Sequence, residues 1–157
     1  MKRLFLFLAF VLLHVSDLGA LPVREALAMV ETGADHPARG PADSIIGGSG
    51  EVSRFQIMPD VWRSYSKSDD YNNPERAWNV ARQILDERTR WFRRATGREP
   101  NKTELYLLWN KPGHFEAVGF RLTRVKVLYR ERAERFANLC QLQAARLSGP
   151  KPTTPAI

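Results

Sequence analysis

Apolar residues recur at helical spacing in several stretches of this chain, and no two stretches alternate as a pair of long strands would. From Leu21 to Glu31, the positions Val23, Ala26, Leu27 and Val30 make one face, and Gly33 is placed to stop that helix. Pro59 suits the first turn of a short helix over 59–66. Asn73 followed by Pro74 is a strong helix start, and positions 77, 78, 81, 84, 85, 91, 92 and 95 continue it on one face to Ala95, with Gly97 as its end. Thr103 to Trp109 is so apolar that it should lie deep in the domain. The clearest periodic stripe is Val118, Leu122, Val125, Tyr129, Ala133, Phe136 and Cys140, which predicts one last helix.

Between the first two helices the pattern changes. Residues 33–54 hold five glycines, at 33, 40, 47, 48 and 50, with Pro37 and Pro41 among them. This predicts a long irregular loop or a short hairpin, and a loop of that length in a small domain is usually functional. The fold class expected is mainly α. At the N-terminus, Lys2 and Arg3 precede an apolar run from Leu4 to Val15 that ends in small residues at Gly19-Ala20, the layout of a secretory signal peptide over residues 1–20. An uncleaved anchor is the alternative, although the run falls short of the roughly 20 apolar residues a span needs. Residues 21–147 then form one domain, and the Pro-rich residues 148–157 a disordered tail.

Charge narrows the partners. The net charge is +7, and eighteen of the 24 basic residues are Arg. Such a surplus favours nucleic acid, a membrane surface or an anionic wall polymer. Export removes nucleic acid, and nothing beyond the signal peptide is fit for stable membrane insertion. The basic residues are also spread over helix faces rather than gathered in one run. Cys140 is the only cysteine and falls on the apolar stripe, so it reads as a buried small hydrophobe. The histidines at 14, 36 and 114 lack zinc-ligand spacing, so neither a metal nor a cofactor is expected.

Three local features carry candidate chemistry. Glu31 ends an apolar helix, where the helix dipole and apolar neighbours both disfavour its charged form, as a proton-donating carboxyl requires. Its plain alternative is an exposed helix-end glutamate. Gln56 lies in Ser53-Arg54-Phe55-Gln56-Ile57-Met58-Pro59, where the irregular loop runs into an apolar turn; a buried strand end before a proline-started helix would read the same way. Trp109-Asn110 offers an aromatic face beside an amide, a combination that suits a sugar, though Trp109 alone would be read as core.

Taken in that order, the glutamate at a helix end, the Gln-Ile-Met-Pro turn and the aromatic-Asn-x-x-Gly loop resemble the lysozyme-like lytic transglycosylases and goose-type lysozymes. The resemblance covers about residues 21–140. It implies a lysozyme-like helical domain whose Gly-rich loop lines a groove for the glycan strands of peptidoglycan. Glu31 would act as general acid and then as base, cutting between N-acetylmuramic acid and N-acetylglucosamine and leaving a 1,6-anhydro end. Ser53, Phe55, Gln56, Trp109 and Asn110 would contact the sugars.

The chain departs from the family pattern at named places. Ser53-Arg54-Phe55 replaces Gly-Leu-Met, and Ala-Gly-x-Gly is reduced to Lys111-Pro112-Gly113. Trp109 replaces a tyrosine, which removes that hydroxyl as a partner for the acid. A hydrolytic lysozyme is the alternative, with Glu51 as second carboxylate and Asp35 and Asp43 behind it, although Glu51 also reads as a solvated loop charge. A wall-binding module without turnover is a further alternative. A periplasmic or secreted monomer is expected.

Overall fold

A computed structural model describes residues 23–34 and 46–147, with side chains described through residue 141. The predicted signal peptide and tail, and Asp35 and Asp43, lie outside the described residues. The described chain is mainly helical: α1 (Val23–Thr32), α2 (Pro59–Tyr65), α3 (Pro74–Thr96), α4 (Lys102–Asn110), α5 (Pro112–Ala117) and α6 (Val127–Leu147), with a 3-10 turn at Leu122–Arg124 before α6. No strand occurs among the described residues; one isolated antiparallel bridge joins Val52 to Ile57.

In α1 the consecutive residues Ala26, Leu27, Ala28, Met29 and Val30 are all buried, so the middle of the helix is enclosed on every side, while its ends carry the half-buried polar residues Arg24, Glu25 and Thr32. It packs against α6, and α6 packs most extensively against α4. Tyr106, Leu107 and Leu108 of α4 are fully enclosed, as the apolar run there predicts. Each such side chain contributes roughly 1.5–3 kcal/mol by leaving water.

The helix ends follow from local chemistry. The side-chain oxygen of Asn73 accepts from the N–H groups of Glu75 and Arg76, Pro74 occupies the first turn, and Gly97 closes α3 in the left-handed region at φ +73°. Asn101 and Glu104 form a reciprocal capping box at the start of α4. Glu104 is 2% exposed and receives both guanidinium nitrogens of Arg98, at 2.6 and 2.7 Å. Burial opposes the charge of Glu104, but Arg98 and the Asn101 N–H hold its carboxyl below the usual range. Arg24 ties α1 to α3 through two bonds to the Glu75 carboxylate, at 2.7 and 3.1 Å.

The single last helix expected from the stripe is instead three pieces. α5 ends at Ala117, and Gly119 and Phe120 both adopt positive φ, +70° and +55°. The Phe120 N–H then bonds back to the carbonyl of Phe115, a helix-ending pattern that reverses the chain. Val118, Leu122 and Val125 do pack inward, but from a turn, and only from Tyr129 onward does the stripe lie on one helix. Periodicity counted straight through Gly119 because inward-facing residues on both sides of the break happen to keep helical intervals.

Candidate active site

The cleft forms where the C-terminal end of α1, residues 48–58, the C-terminal end of α4 and the start of α6 meet. It encloses about 690 Å³, and Glu31, Glu51, Gln56, Asn110, Lys111 and Arg132 are among its lining residues.

Glu31 is the penultimate residue of α1, and its side chain is only 7% exposed. The helix stops directly after it: Gly33 takes φ +75°, and the Thr32 hydroxyl donates to the Ala28 carbonyl at 2.7 Å. Two groups reach its carboxylate from other helices. The Tyr106 hydroxyl donates to Oε1 at 2.7 Å, and Nη2 of Arg132 stands 3.6 Å from Oε2. Burial pushes the Glu31 carboxyl above the usual glutamate range, and it prevails over Tyr106 and Arg132, which both favour the charged form. The negative charge of Glu51 adds to the rise. Tyr106 in turn is held far above the usual phenol range by burial and by the charge of Glu31, so its hydroxyl stays a donor.

The loop that presents Glu51 and Gln56 is folded on itself. Val52 and Ile57 exchange both backbone hydrogen bonds, at 2.8 and 2.9 Å, which closes a tight turn over residues 53–56. Ser53 and Gln56 sit at φ +61° and +50°, the left-handed region that disfavours side chains bearing a Cβ. Local bonds offset that cost: the Ser53 hydroxyl accepts from the Phe55 N–H, and the Gln56 amide donates to the Ser53 carbonyl. Arg54 is buried under the turn with Nη1 3.9 Å from the Glu25 carboxylate, which links the loop to α1.

Glu51 accepts a 2.9 Å bond from the Ser49 N–H. Its own N–H and that of Ser49 hold its carboxyl below the usual range. Gly47 packs directly against both polar groups: a Cβ there would lie 2.2 Å from Oε2 of Glu51 and 2.3 Å from Oε1 of Gln56. The cleft therefore holds two carboxyl groups whose environments push them in opposite directions, Glu31 toward the acid and Glu51 toward the anion.

Of the residues read from sequence as site candidates, Glu31, Glu51, Gln56, Trp109 and Asn110 line the cleft. Ser53 and Phe55 do not. Phe55 is fully buried against Trp78, with ring centroids 5.8 Å apart, and Ser53 is 2% exposed beneath the turn. Of the four turn residues, Gln56 is the one that lines the cleft. Trp109 is 8% exposed and lies under the Arg88 guanidinium, 5.8 Å from its ring centroid, so it is a wall rather than an open plate.

Tyr106, Arg88, Lys111 and Arg132 complete the site, and the sequence reading assigns none of them a role there. Arg88 donates to the carbonyls of Leu108 and Trp109 and so fixes the end of α4 at the cleft. Its signal was present: it stands four residues after Ile84 and four before Phe92, a charge on the apolar face of α3. Tyr106, three residues before Trp109 on α4, gives Glu31 a hydroxyl partner, where the sequence reading expected none from Trp109.

Among the described residues no group of three His, Cys, Asp or Glu side chains is arranged to hold a metal ion, and no helix is long and apolar enough to cross a membrane. Comparison with protein-family models, curated proteins and solved structures finds no match.

Proposed function

We propose that this protein is a lysozyme-like enzyme that cleaves the glycan strands of peptidoglycan, acting after export to the periplasm or beyond the cell. The observation that carries the proposal is Glu31: a carboxyl kept toward its acid form by burial, at the wall of an open cleft, oriented by Tyr106 and Arg132. Breaking a glycosidic bond requires a proton on the leaving oxygen while positive charge grows at the anomeric carbon. A buried carboxyl supplies that proton near neutral pH, which an ordinary exposed glutamate does not.

Lytic transglycosylation is the preferred outcome. Glu31 protonates the glycosidic oxygen and the bond from the anomeric carbon to that oxygen breaks. The Glu31 carboxylate then removes the proton of the muramic 6-hydroxyl, whose oxygen bonds to the anomeric carbon. The ring closes to a 1,6-anhydro end, no water is consumed, and Glu31 returns to its acid form. Arg132 and Tyr106 suit this double role, because both stabilise the carboxylate that exists between the two proton transfers. Gln56 and Asn110 offer amide donors and acceptors to the sugars along the same cleft.

Hydrolysis is the second reading, and Glu51 is the observation that favours it, an anionic carboxylate in the same cleft as the acid. Against it, Glu51 acts on Glu31 less strongly than Tyr106 or Arg132 and is bound into its own turn. Digestion of purified peptidoglycan followed by mass spectrometry separates the two. Transglycosylation gives products lighter by one water than the hydrolytic fragments; water-added products, lost on Glu51→Gln, would establish hydrolysis instead.

A further inference from the structure

Two cations, Arg132 and Lys111, stand on the cleft wall beside Glu31, and Arg132 also reaches the Tyr106 hydroxyl. Arg132 is 44% exposed, and its 3.6 Å approach to Glu31 is an ion-pair distance beyond normal hydrogen-bond range. Lys111 is exposed at the end of α4, its ammonium 5.5 Å from the ring centroid of Tyr129. Tyr129 and Arg132 are three residues apart on α6, so they project from the same face, and Lys111 joins them on the cleft surface. The third cation of the lining, Arg88, is different, because its guanidinium is already bonded to two backbone carbonyls.

The charge balance of the cleft changes with the state of Glu31. With Glu31 ionised, Arg132 has a carboxylate partner. When Glu31 is the acid, as the proposed reaction requires, that partner is gone, and among the described residues lining the cleft Glu51 is the carboxylate that remains beside Arg132 and Lys111. Two cations left with one carboxylate in the working state form a receptor for an anion brought by the substrate. Resting on the glycan-cleaving reading above, we infer that Arg132 and Lys111 form a specificity subsite for a carboxylate carried by the amino sugar next to the scissile bond. The enzyme thereby distinguishes acid-bearing glycan from neutral polymers of N-acetylglucosamine. The carboxylate comes either from the lactyl ether, once the stem peptide is trimmed away, or from the stem peptide itself.

Binding in the Glu31→Gln background tests this, since that change removes turnover and the internal partner of Arg132 together. Calorimetric titration would use three ligands: a neutral N-acetylglucosamine tetramer, a glycan fragment with free lactyl carboxylates, and one with intact stem peptides. Adding Arg132→Gln should lower the affinity for a carboxylate-bearing fragment about tenfold relative to the neutral tetramer, and adding Lys111→Gln should act in the same direction but less. Loss confined to the trimmed fragment, or to the peptide-bearing one, identifies which carboxylate is held. An unchanged ratio of acidic to neutral affinities overturns the subsite, and the glycan-cleaving reading still stands if wild-type protein releases wall fragments. Absence of binding to all three ligands, with no release by wild type, overturns both.

Discussion

The Tyr106 hydroxyl donates to Glu31 across a separation of 75 residues, joining the middle of α4 to the last turn of α1. Tyr106 is 1% exposed, and its ring packs on Phe136 of α6 with centroids 5.5 Å apart, so the hydroxyl is aimed by three helices at once. A hydrogen bond donated to a carboxylate favours the charged form, and this one restrains the rise that burial imposes on Glu31.

Tyr106→Phe should therefore raise the Glu31 carboxyl further. A general acid is active below its own pKa, so the alkaline limb of the kcat/KM profile moves to higher pH in this variant. Loss of orientation lowers kcat about tenfold, and loss of one buried bond costs about 1 kcal/mol of stability. A pH profile measured beside a urea titration checks both. An alkaline limb that moves downward contradicts the assignment.

Glu31→Gln should stabilise the protein at neutral pH. The folded-state pKa of Glu31 is raised, so as pH increases the unfolded chain releases this proton first and the folded state loses stability relative to it. Glutamine is neutral throughout and retains the shape of the acid form. The gain should be present at pH 7, and it should vanish below about pH 4, where glutamate is protonated in both states. Thermal unfolding at the two pH values reads the difference. A variant less stable than wild type at pH 7 would sink the claim that burial dominates.

Much of the frame was readable from residue order alone. The Asn73-Pro74 start, the Gly97 stop and the Gly33 stop are local signals, and the structure places those helix ends where the signals stand. Where long-range packing decides, pattern was less informative. Periodicity puts Ala95 on the buried face of α3 and leaves Val80 off it, whereas Ala95 is exposed and Val80 is buried. Pro112 opens α5, but its stretch resembled a loop because the helix lasts only six residues. Glu31 stood out because it ends an apolar run; Tyr106 and Arg132 could not, because only the meeting of α1, α4 and α6 makes them its partners.

Gly47→Ala should separate activity from stability. The new Cβ would press on Oε2 of Glu51 and Oε1 of Gln56, at 2.2 and 2.3 Å, and on Cβ of Glu51 at 3.0 Å, so both polar ends must shift and Glu51 must give up its bond from the Ser49 N–H. The fold should lose about 1–3 kcal/mol and remain folded, while turnover falls about tenfold or more because two polar groups of the cleft are displaced. Unfolding curves and wall digestion by the same preparation test this. Full activity would show that neither group matters where it stands.

Arg88→Met should act in the opposite way, mainly on stability. Burial pushes the Arg88 guanidinium below its usual pKa, while its bonds to the Leu108 and Trp109 carbonyls complete the end of α4. Methionine fills some of the volume but leaves those carbonyls without their donor, at a cost of about 2–4 kcal/mol. A melting temperature within a degree of wild type would contradict this role.

The most direct test of the proposed activity compares wild type with Glu31→Gln on purified insoluble peptidoglycan, measuring the soluble fragments released. Wild type is expected to release them. The variant, folded and at equal concentration, should release them at least about a hundredfold more slowly, the usual scale for removing a general acid. Equal release by the two proteins would remove Glu31 from the chemistry, and no release by folded wild type from several wall types would contradict a glycan-cleaving enzyme.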